Sequence, residues 1–313
     1  MSSNLTIRPA NDKDRLATLE NTWQYWGDGL TRDEFFENRL NSPQFQRSRR
    51  FVGLVDDKVV VSLAAYTCRF QLHGDVLNGV AIGSVYTRDE HRGHGYASQL
   101  MEYVDNIHAK GGAKLSVLYS DIPPEFYERL GYATCPSWQG EVAITSGTPA
   151  ATGGWKLQPF DPAVSLPELE KLYSDDSGNM PLSIARNLTY WKFTLEYRKN
   201  DQFYWLQDAE GQTHGYVRMA LGKKQDLHIV DHALVARSDK LEIALYLAVK
   251  HLAAEQAAQS IHTWVPNTPA AQACFSVQPR TMEITMIKTL DPQTVVSAEA
   301  IEAAQYFHEV DHV

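Results

Sequence analysis

Leu5-Thr6-Ile7-Arg8-Pro9 alternates apolar and polar side chains, the period of a strand with one buried face. Asp12 and Asp14 then stand as helix-start residues before an apolar, aromatic-rich stretch that runs to Phe36, which predicts two helices. Phe51 to Val55 and Val59 to Tyr66 flank the polar connection Asp56-Asp57-Lys58, a hairpin pattern, and Leu77 to Tyr86 adds a third apolar run to this meander. Ala97 to Ala109 switches to helical spacing through Leu100, Met101, Val104 and Ile107, Gly111-Gly112 stops it, and Lys114 to Tyr119 reads as a strand.

A similar order returns later in the chain. Strand patterns at Lys156 to Gln158, Phe203 to Leu206, His214 to Ala220 and His228 to Val235 precede a helix from Lys240 to Glu255 and a strand from Ile261 to Val265, with helical material after the first of them. Between the two series lies Thr145 to Gly154 (TSGTPAATGG), small, polar and glycine-rich, as an exposed junction is. A length of 313 residues, against about 100 to 200 per typical domain, agrees with two units, expected at 1–147 and 148–313, the second an echo of the first.

Composition narrows the class. Hydrophobic residues at 43% and charged residues at 21% are ordinary globular usage. A formal net charge of -9 argues against nucleic acid, which needs a concentrated basic face, and favours a cationic small substrate. Cys68, Cys135 and Cys274 are odd in number and lack CxxC spacing, so reduced thiols and a cytoplasmic setting are expected. Neither an apolar leader nor a bilayer-length apolar run is present in the sequence, so no membrane partner is expected. His91, His94 and His108 straddle a loop and a helix without an HExxH-like pair, so no metal is expected.

The chemistry concentrates at Arg92-Gly93-His94-Gly95-Tyr96-Ala97, between a strand and a helix. Backbone amides there converge with the positive end of the helix, which makes an anion site. Gly93 and Gly95 leave room for a pyrophosphate, and Arg92 adds charge. The Gly-Lys-Ser/Thr of a P-loop is missing, and GxGxxG fails because Tyr96-Ala97-Ser98 follows Gly95. The loop instead resembles the cofactor signature of the GCN5-related N-acetyltransferases (GNAT): Arg or Gln, two residues, Gly, one residue, then Gly or Ala. Downstream, Phe126-Tyr127-Glu128-Arg129-Leu130-Gly131-Tyr132 resembles the FYxxLGF or FYxxLGY element of the same family.

That resemblance covers about the first half of the chain and implies an α/β (α+β) GNAT fold: a mixed, mostly antiparallel sheet flanked by helices, followed here by a second, degenerate GNAT-like domain. It also implies acetyl-CoA as cosubstrate. Val85, Tyr86 and Thr87 at the end of the fourth strand would bond the pantetheine arm. Arg92, Gly93, His94, Gly95, Tyr96, Ala97 and Ser98 would hold the pyrophosphate, with Ser120 counted among the cofactor residues. Amine attack on a thioester builds charge on oxygen and expels a thiolate that leaves better as a thiol, so a proton donor is needed, and the resemblance gives that role to Tyr127. A base must also take the proton of the amine. Glu90, His91, His94, Asp121 and Glu125 lie near the motifs, and spacing singles out none of them.

Val117-Leu118-Tyr119-Ser120-Asp121-Ile122 resembles a stretch of the fungal lysine N6-acetyltransferases, and the two-unit layout resembles the bacterial enhanced-intracellular-survival acetyltransferases. The latter likeness implies a docked tail with the Val313 carboxylate as proton acceptor, Asp311 or His312 as substitutes. The tail is unusually aromatic and titratable, which a docked strand with no catalytic part explains equally well. Between its strand and helix the second unit reads Ala236-Arg237-Ser238-Asp239, without the glycines a pyrophosphate needs, so it is expected to serve as a lid or wall. Trp23, Trp26 and Asp28 fall where the family places its substrate-facing helices, and either hold an ammonium or pack in the core. The expected reaction is acetyl transfer to a primary amine, lysine-like or a polyamine. An aminoglycoside acceptor and a non-catalytic acyl-CoA-binding regulatory protein are the alternatives.

Overall fold

The computed structural model describes residues 5–144, 152–222 and 224–312. The expected junction at 147/148 and the Val313 carboxylate lie outside them. In chain order the first half contains β1 (Thr6–Pro9), α1 (Asp12–Trp26), α2 (Arg32–Leu40), α3 (Pro43–Arg47), β2 (Arg49–Val55), β3 (Lys58–Leu72), β4 (Asp75–Thr87), α4 (Tyr96–Lys110), β5 (Leu115–Ser120), α5 (Glu125–Glu128), β6 (Ala133–Thr134) and β7 (Trp138–Ala143). The second contains β8 (Lys156–Pro159), α6 (Leu166–Ser177), β9 (Leu182–Ile184), α7 (Leu188–Tyr197), β10 (Gln202–Gln207), β11 (Thr213–Leu221), β12 (Asp226–Leu234), α8 (Asp239–Glu255), β13 (Ser260–Trp264), α9 (Pro269–Cys274), β14 (Ser276–Pro279), β15 (Ile284–Thr289) and α10 (Ala298–Ala303).

Local chemistry sets the early elements. Asn11, rather than Asp12 or Asp14, caps α1: its side chain accepts from Asp14 N and the Asp14 carboxylate accepts from Asn11 N, a capping box. Thr31 and Glu34 do the same for α2. Asp56 and Asp57 both adopt positive φ (47° and 59°), the two-residue turn that matches strand twist, and they join β2 to β3 at Val55 and Lys58.

Two sheets result, and they exchange strands. The first runs β1-β2-β3-β4-β5-β15-β6, with β9 also on β3, and the second runs β14-β7-β13-β12-β11-β10-β8. A cut near residue 147 puts β7 with the first half and β15 with the second, yet each sits in the other sheet. β15 pairs along the whole of β5, from Ile284 opposite Ser120 to Thr289 opposite Leu115, and Lys288 ties it to Asp105 of α4 at 2.7 Å. β7 lies between β13 and β14. A chain ended at residue 144 therefore exposes the edge of β5 and leaves β7 without its sheet. We expect that truncation to be insoluble or aggregated in size-exclusion chromatography while the full chain is monodisperse; a folded, soluble 1–144 fragment would contradict it.

The first sheet is buried on both faces. α4 covers one through Leu100, Met101 and Val104, packed with Phe51, Leu63, Val80 and Ile82. The second half covers the other, where Leu182, Ile184, Trp264 and Phe307 pack on Phe70, Leu115, Val117 and Tyr119. With each such side chain worth about 1.5–3 kcal/mol on burial, the second half is part of the first sheet's core. No helix among the described residues is long and apolar enough to cross a membrane.

Candidate active site

The site begins where β4 and β5 part. They pair in parallel from Gly79 opposite Leu115 to Ile82 opposite Leu118 and no further, although β4 continues to Thr87. A bulge drives the separation: on β3, Ser62 faces Tyr86 and Ala64 faces Gly83, so Ser84 and Val85 stand against one residue. Ser84 takes φ 51°, a strained conformation of the kind that collects at working sites. The ladder groups of β4 beyond Ile82 thus face a cleft instead of β5.

That cleft, about 660 Å³, is lined by Gly83 to Thr87, by Arg92, Gly93 and Gly95 to Ser98, and by Tyr25, Trp26, Ile82, His91, Leu118, Tyr119, Asp121, Ile122, Phe126 and Tyr127. At one end lies the N-terminus of α4. Gly95 is its cap at φ 73° and Gly93 has φ 79°, both in the left-handed region. A Cβ on Gly93 meets nothing within 4 Å, and one on Gly95 meets only Gln99 Nε2 at 4.0 Å, so the space before the loop is open. The first intrahelical bond, Gln99 N to Gly95 O at 3.1 Å, leaves the amides of the first turn without intrahelical acceptors. Arg92 is exposed, pairs with Asp89 at 2.8 Å and donates to Thr87 O at 3.3 Å, which ties the loop to the end of β4. These features fit a diphosphate followed by an extended arm, the shape of coenzyme A.

Tyr127, on α5, which starts after Pro123-Pro124, lines the same cleft. Its ring is 7% exposed and packs edge-on against Phe126 at 4.9 Å and Tyr132 at 6.1 Å. Burial first, and the Asp121 carboxylate second, push its phenol up to about 12.

A second cleft, also about 660 Å³, adjoins the first through Trp26, Gly83, Ser84, Tyr119 and Asp121. α1, α2 and β2 contribute Leu19, Thr22, Phe35, Arg39 and Arg50, α3 adds Gln44, and the second half contributes Tyr197, Arg198, Glu283, Glu309 and His312. The tail reaches this cleft because a buried network holds it. Arg186 donates to Asp231 at 2.7 Å and to Asp311 at 2.8 Å, with all three side chains at most 2% exposed. Glu309 pairs with Arg198 at 3.4 Å and with His228 at 3.7 Å, and His312 lies edge-on to Tyr119 at 5.2 Å and near Trp264 at 6.0 Å.

The anticipated residues divide. Val85, Tyr86, Thr87, Arg92, Gly93, Gly95, Tyr96, Ala97, Ser98, Tyr127 and Trp26 line the first cleft. His94 turns away to bond the carbonyls of His91 and Arg92 and stacks on Tyr96 at 5.4 Å. Ser120 is 1% exposed and donates to Ile122 O at 2.7 Å, shaping the turn after β5. Trp23 donates to Leu30 O at 3.1 Å and packs with Leu19, Phe35 and Phe45. Asp28 occupies the turn after α1 at φ 46°, outside the lining of both clefts. Of the proposed bases, Asp121 lines both clefts and His91 the first. Sequence reasoning missed Arg39, Arg50, Tyr119, Glu283 and Glu309. For Arg50 a signal existed, an arginine opening the otherwise apolar run Phe51 to Val55. No group of three metal-binding side chains occurs among the described residues.

In the second sheet β12 and β13 also pair in parallel and then part, beyond Ile229 and Thr263, with α8 between them. Here Ser238 caps the helix through its side chain, accepting from Leu241 N, and no glycine cradle stands before it. The tail crosses this opening, with His308 against His232 at 5.0 Å and His312 at Trp264.

A family described as an acetyltransferase (GNAT) domain matches residues 6–135. No curated protein matches the sequence. Among solved structures, a probable N-acyltransferase of Enterococcus faecalis superposes with a TM-score of 0.71 at 15% identity, over 94% of this chain and 74% of its own. Eis1 of Mycobacterium abscessus gives 0.56 at 18%, over 92% and 74%. N-myristoyltransferase of Saccharomyces cerevisiae, solved with bound myristoyl-CoA, gives 0.60 at 11%, over 100% and 86%. At these identities the likeness is one of fold, and it extends over both halves. Residues 6–135 thus match an acetyltransferase (GNAT) domain family, and the two-sheet fold of the whole chain is similar to that of these N-acyltransferase structures.

Proposed function

We propose that the protein is an acyl-CoA-dependent N-acetyltransferase acting on a primary amine of a small molecule. The observation that carries this reading is the parting of β4 from β5 in front of a glycine-opened helix N-terminus, with Tyr127 lining the same cleft.

Acetyl-CoA supplies an acetyl thioester, whose carbonyl carbon forms the new C–N bond as its C–S bond breaks. The residues of this chain do the rest. Gly93, Gly95 and the first turn of α4 hold the diphosphate, and the open ladder of Gly83 to Thr87 aligns the arm and donates to the thioester oxygen. Tyr127, protonated across the neutral range, donates to the departing sulfur. Asp121, which lines both clefts, is placed to receive the proton the amine gives up. The second half walls the acceptor cleft through Tyr197, Arg198, Glu283 and Glu309.

Free-thiol release from acetyl-CoA with a panel of lysine, spermidine and kanamycin tests the reading. Amine-dependent release at a rate well above hydrolysis is expected. Tight acetyl-CoA binding without release by any amine would leave a non-catalytic binder.

A further inference from the structure

Arg50 is buried in the acceptor cleft without a counter-charge. It lies on β2, is 8% exposed, and rests its guanidinium over the Phe45 ring at 4.4 Å. Its Nε is buried with no hydrogen-bond partner. Among the described residues no carboxylate pairs with it; the titratable groups nearest it are the Tyr66 phenol, which burial keeps protonated, and two further guanidiniums, Arg15 and Arg39. Arg15 is committed to the carbonyls of Phe45 at 2.8 Å and Ser48 at 3.1 Å. Arg39 lies over Phe35 at 5.3 Å and lines the same cleft. Burial above all, then these two cations, push Arg50 down to about 10.

A guanidinium removed from water without an anion costs several kcal/mol. Buried arginines elsewhere in the chain avoid this: Arg186 has Asp231 and Asp311, and Arg218 has Asp201. Arg280, which also lacks a carboxylate, keeps its face on Trp264 at 3.5 Å and lies outside the cleft lining. The cleft's own carboxylates are spent elsewhere, Glu309 on Arg198 and His228, and Glu283 toward His312 at 3.8 Å. The cleft is therefore two-ended, with Asp121 and Glu283 at one end and Arg39 and Arg50 at the other.

We propose that the acceptor carries a carboxylate as well as the amine, and that Arg50 is the residue that reads that carboxylate. Strand register sets the spacing. Arg50 faces Ala64 and Ala64 faces Gly83, so Arg50 stands two strands, about 10 Å, from the wall shared by the two clefts. An amine at that wall and a carboxylate at Arg50 are the ends of one short chain, as in an amino acid whose side chain ends in an amine. A plain polyamine brings only cations to a site that already has unanswered ones.

This inference rests on the acetyl-transfer reading, and the test separates the two. Amines are compared in pairs that differ only by the carboxylate: lysine with cadaverine, ornithine with putrescine, 6-aminohexanoate with pentylamine. Thiol release from any amine reports the transferase; the ratio within a pair reports the carboxylate. The wild-type protein should favour at least one carboxylate-bearing member by about 100-fold in kcat/KM, and Arg50→Met should erase that preference through KM, lowering kcat/KM far more for the carboxylate-bearing member than for its carboxylate-free partner. Arg50→Lys should restore part of the preference. Equal use of both members of every pair, or preference for the carboxylate-free ones, overturns the proposal and leaves the transferase reading intact. Should Arg50→Met fail to fold, judged by melting and by acetyl-CoA binding, the wild-type ratios decide whether the acceptor carries a carboxylate and Arg50→Lys decides whether Arg50 reads it: an unchanged preference in that variant overturns the assignment.

Discussion

Tyr127→Phe should lower kcat by about 10²- to 10⁴-fold, the usual range for a positioned proton donor, with the Kd for acetyl-CoA unchanged. The substitution removes one oxygen and keeps the ring, so the packing against Phe126 and Tyr132 survives and the melting temperature should barely move. The proton-donating form exists below the phenol's pKa. With that value raised to about 12 by burial, ionisation of Tyr127 should cause no loss of rate on the alkaline side below about pH 10. Single-turnover acetyl transfer, calorimetry with acetyl-CoA and a pH–rate profile together check this. A variant with parental kcat would take Tyr127 out of the chemistry, and an alkaline limb that disappears in the variant would show that the phenol titrates within the working range.

The parts of this arrangement that could be read from the sequence are those fixed by neighbours in the chain. The hairpin at Asp56-Asp57, the helix spacing of Leu100, Met101 and Val104, and the positive φ of Gly93 and Gly95 are local consequences of local residues, and the cofactor cleft is made chiefly of them. What sequence did not disclose depends on contacts far apart in the chain. β15 and β7 are short, and each is stabilised only in the sheet of the opposite half, so nothing near Ile284 or Trp138 signals its partner. The end of β3, Thr67 to Leu72, has exposed polar positions and is ordered by pairing with β4 and β9. The acceptor cleft was hidden for the same reason. It gathers Arg39 and Arg50 from the first half with Glu283 and Glu309 from the second, and only the folded core brings them together. Trp23 shows the converse: an aromatic in a substrate-facing segment also fits a core, and here it packs on Leu19 and Phe35.

Gly95→Glu should abolish measurable coenzyme A binding, and the reasons can be separated experimentally. At φ 73° any residue with a Cβ is strained, by roughly 1–2 kcal/mol, although the space beside it is open. A carboxylate there adds a negative charge to the helix end that would otherwise meet the diphosphate, so the anion site is both occupied and repelled. Gly95→Asn isolates the first effect, since asparagine tolerates the left-handed region best among non-glycine residues, and it should bind the nucleotide thiol with only a modest loss. Both variants should melt close to the parent, because Gly95 lies at the surface end of α4 and packs against nothing but the tip of Gln99. Calorimetric titration of the three proteins with coenzyme A gives the order parent, Gly95→Asn, then no heat for Gly95→Glu. If Gly95→Glu titrates like the parent, the diphosphate does not sit at this helix, and the assignments of Tyr127 and of the acceptor cleft lose the anchor from which both were placed.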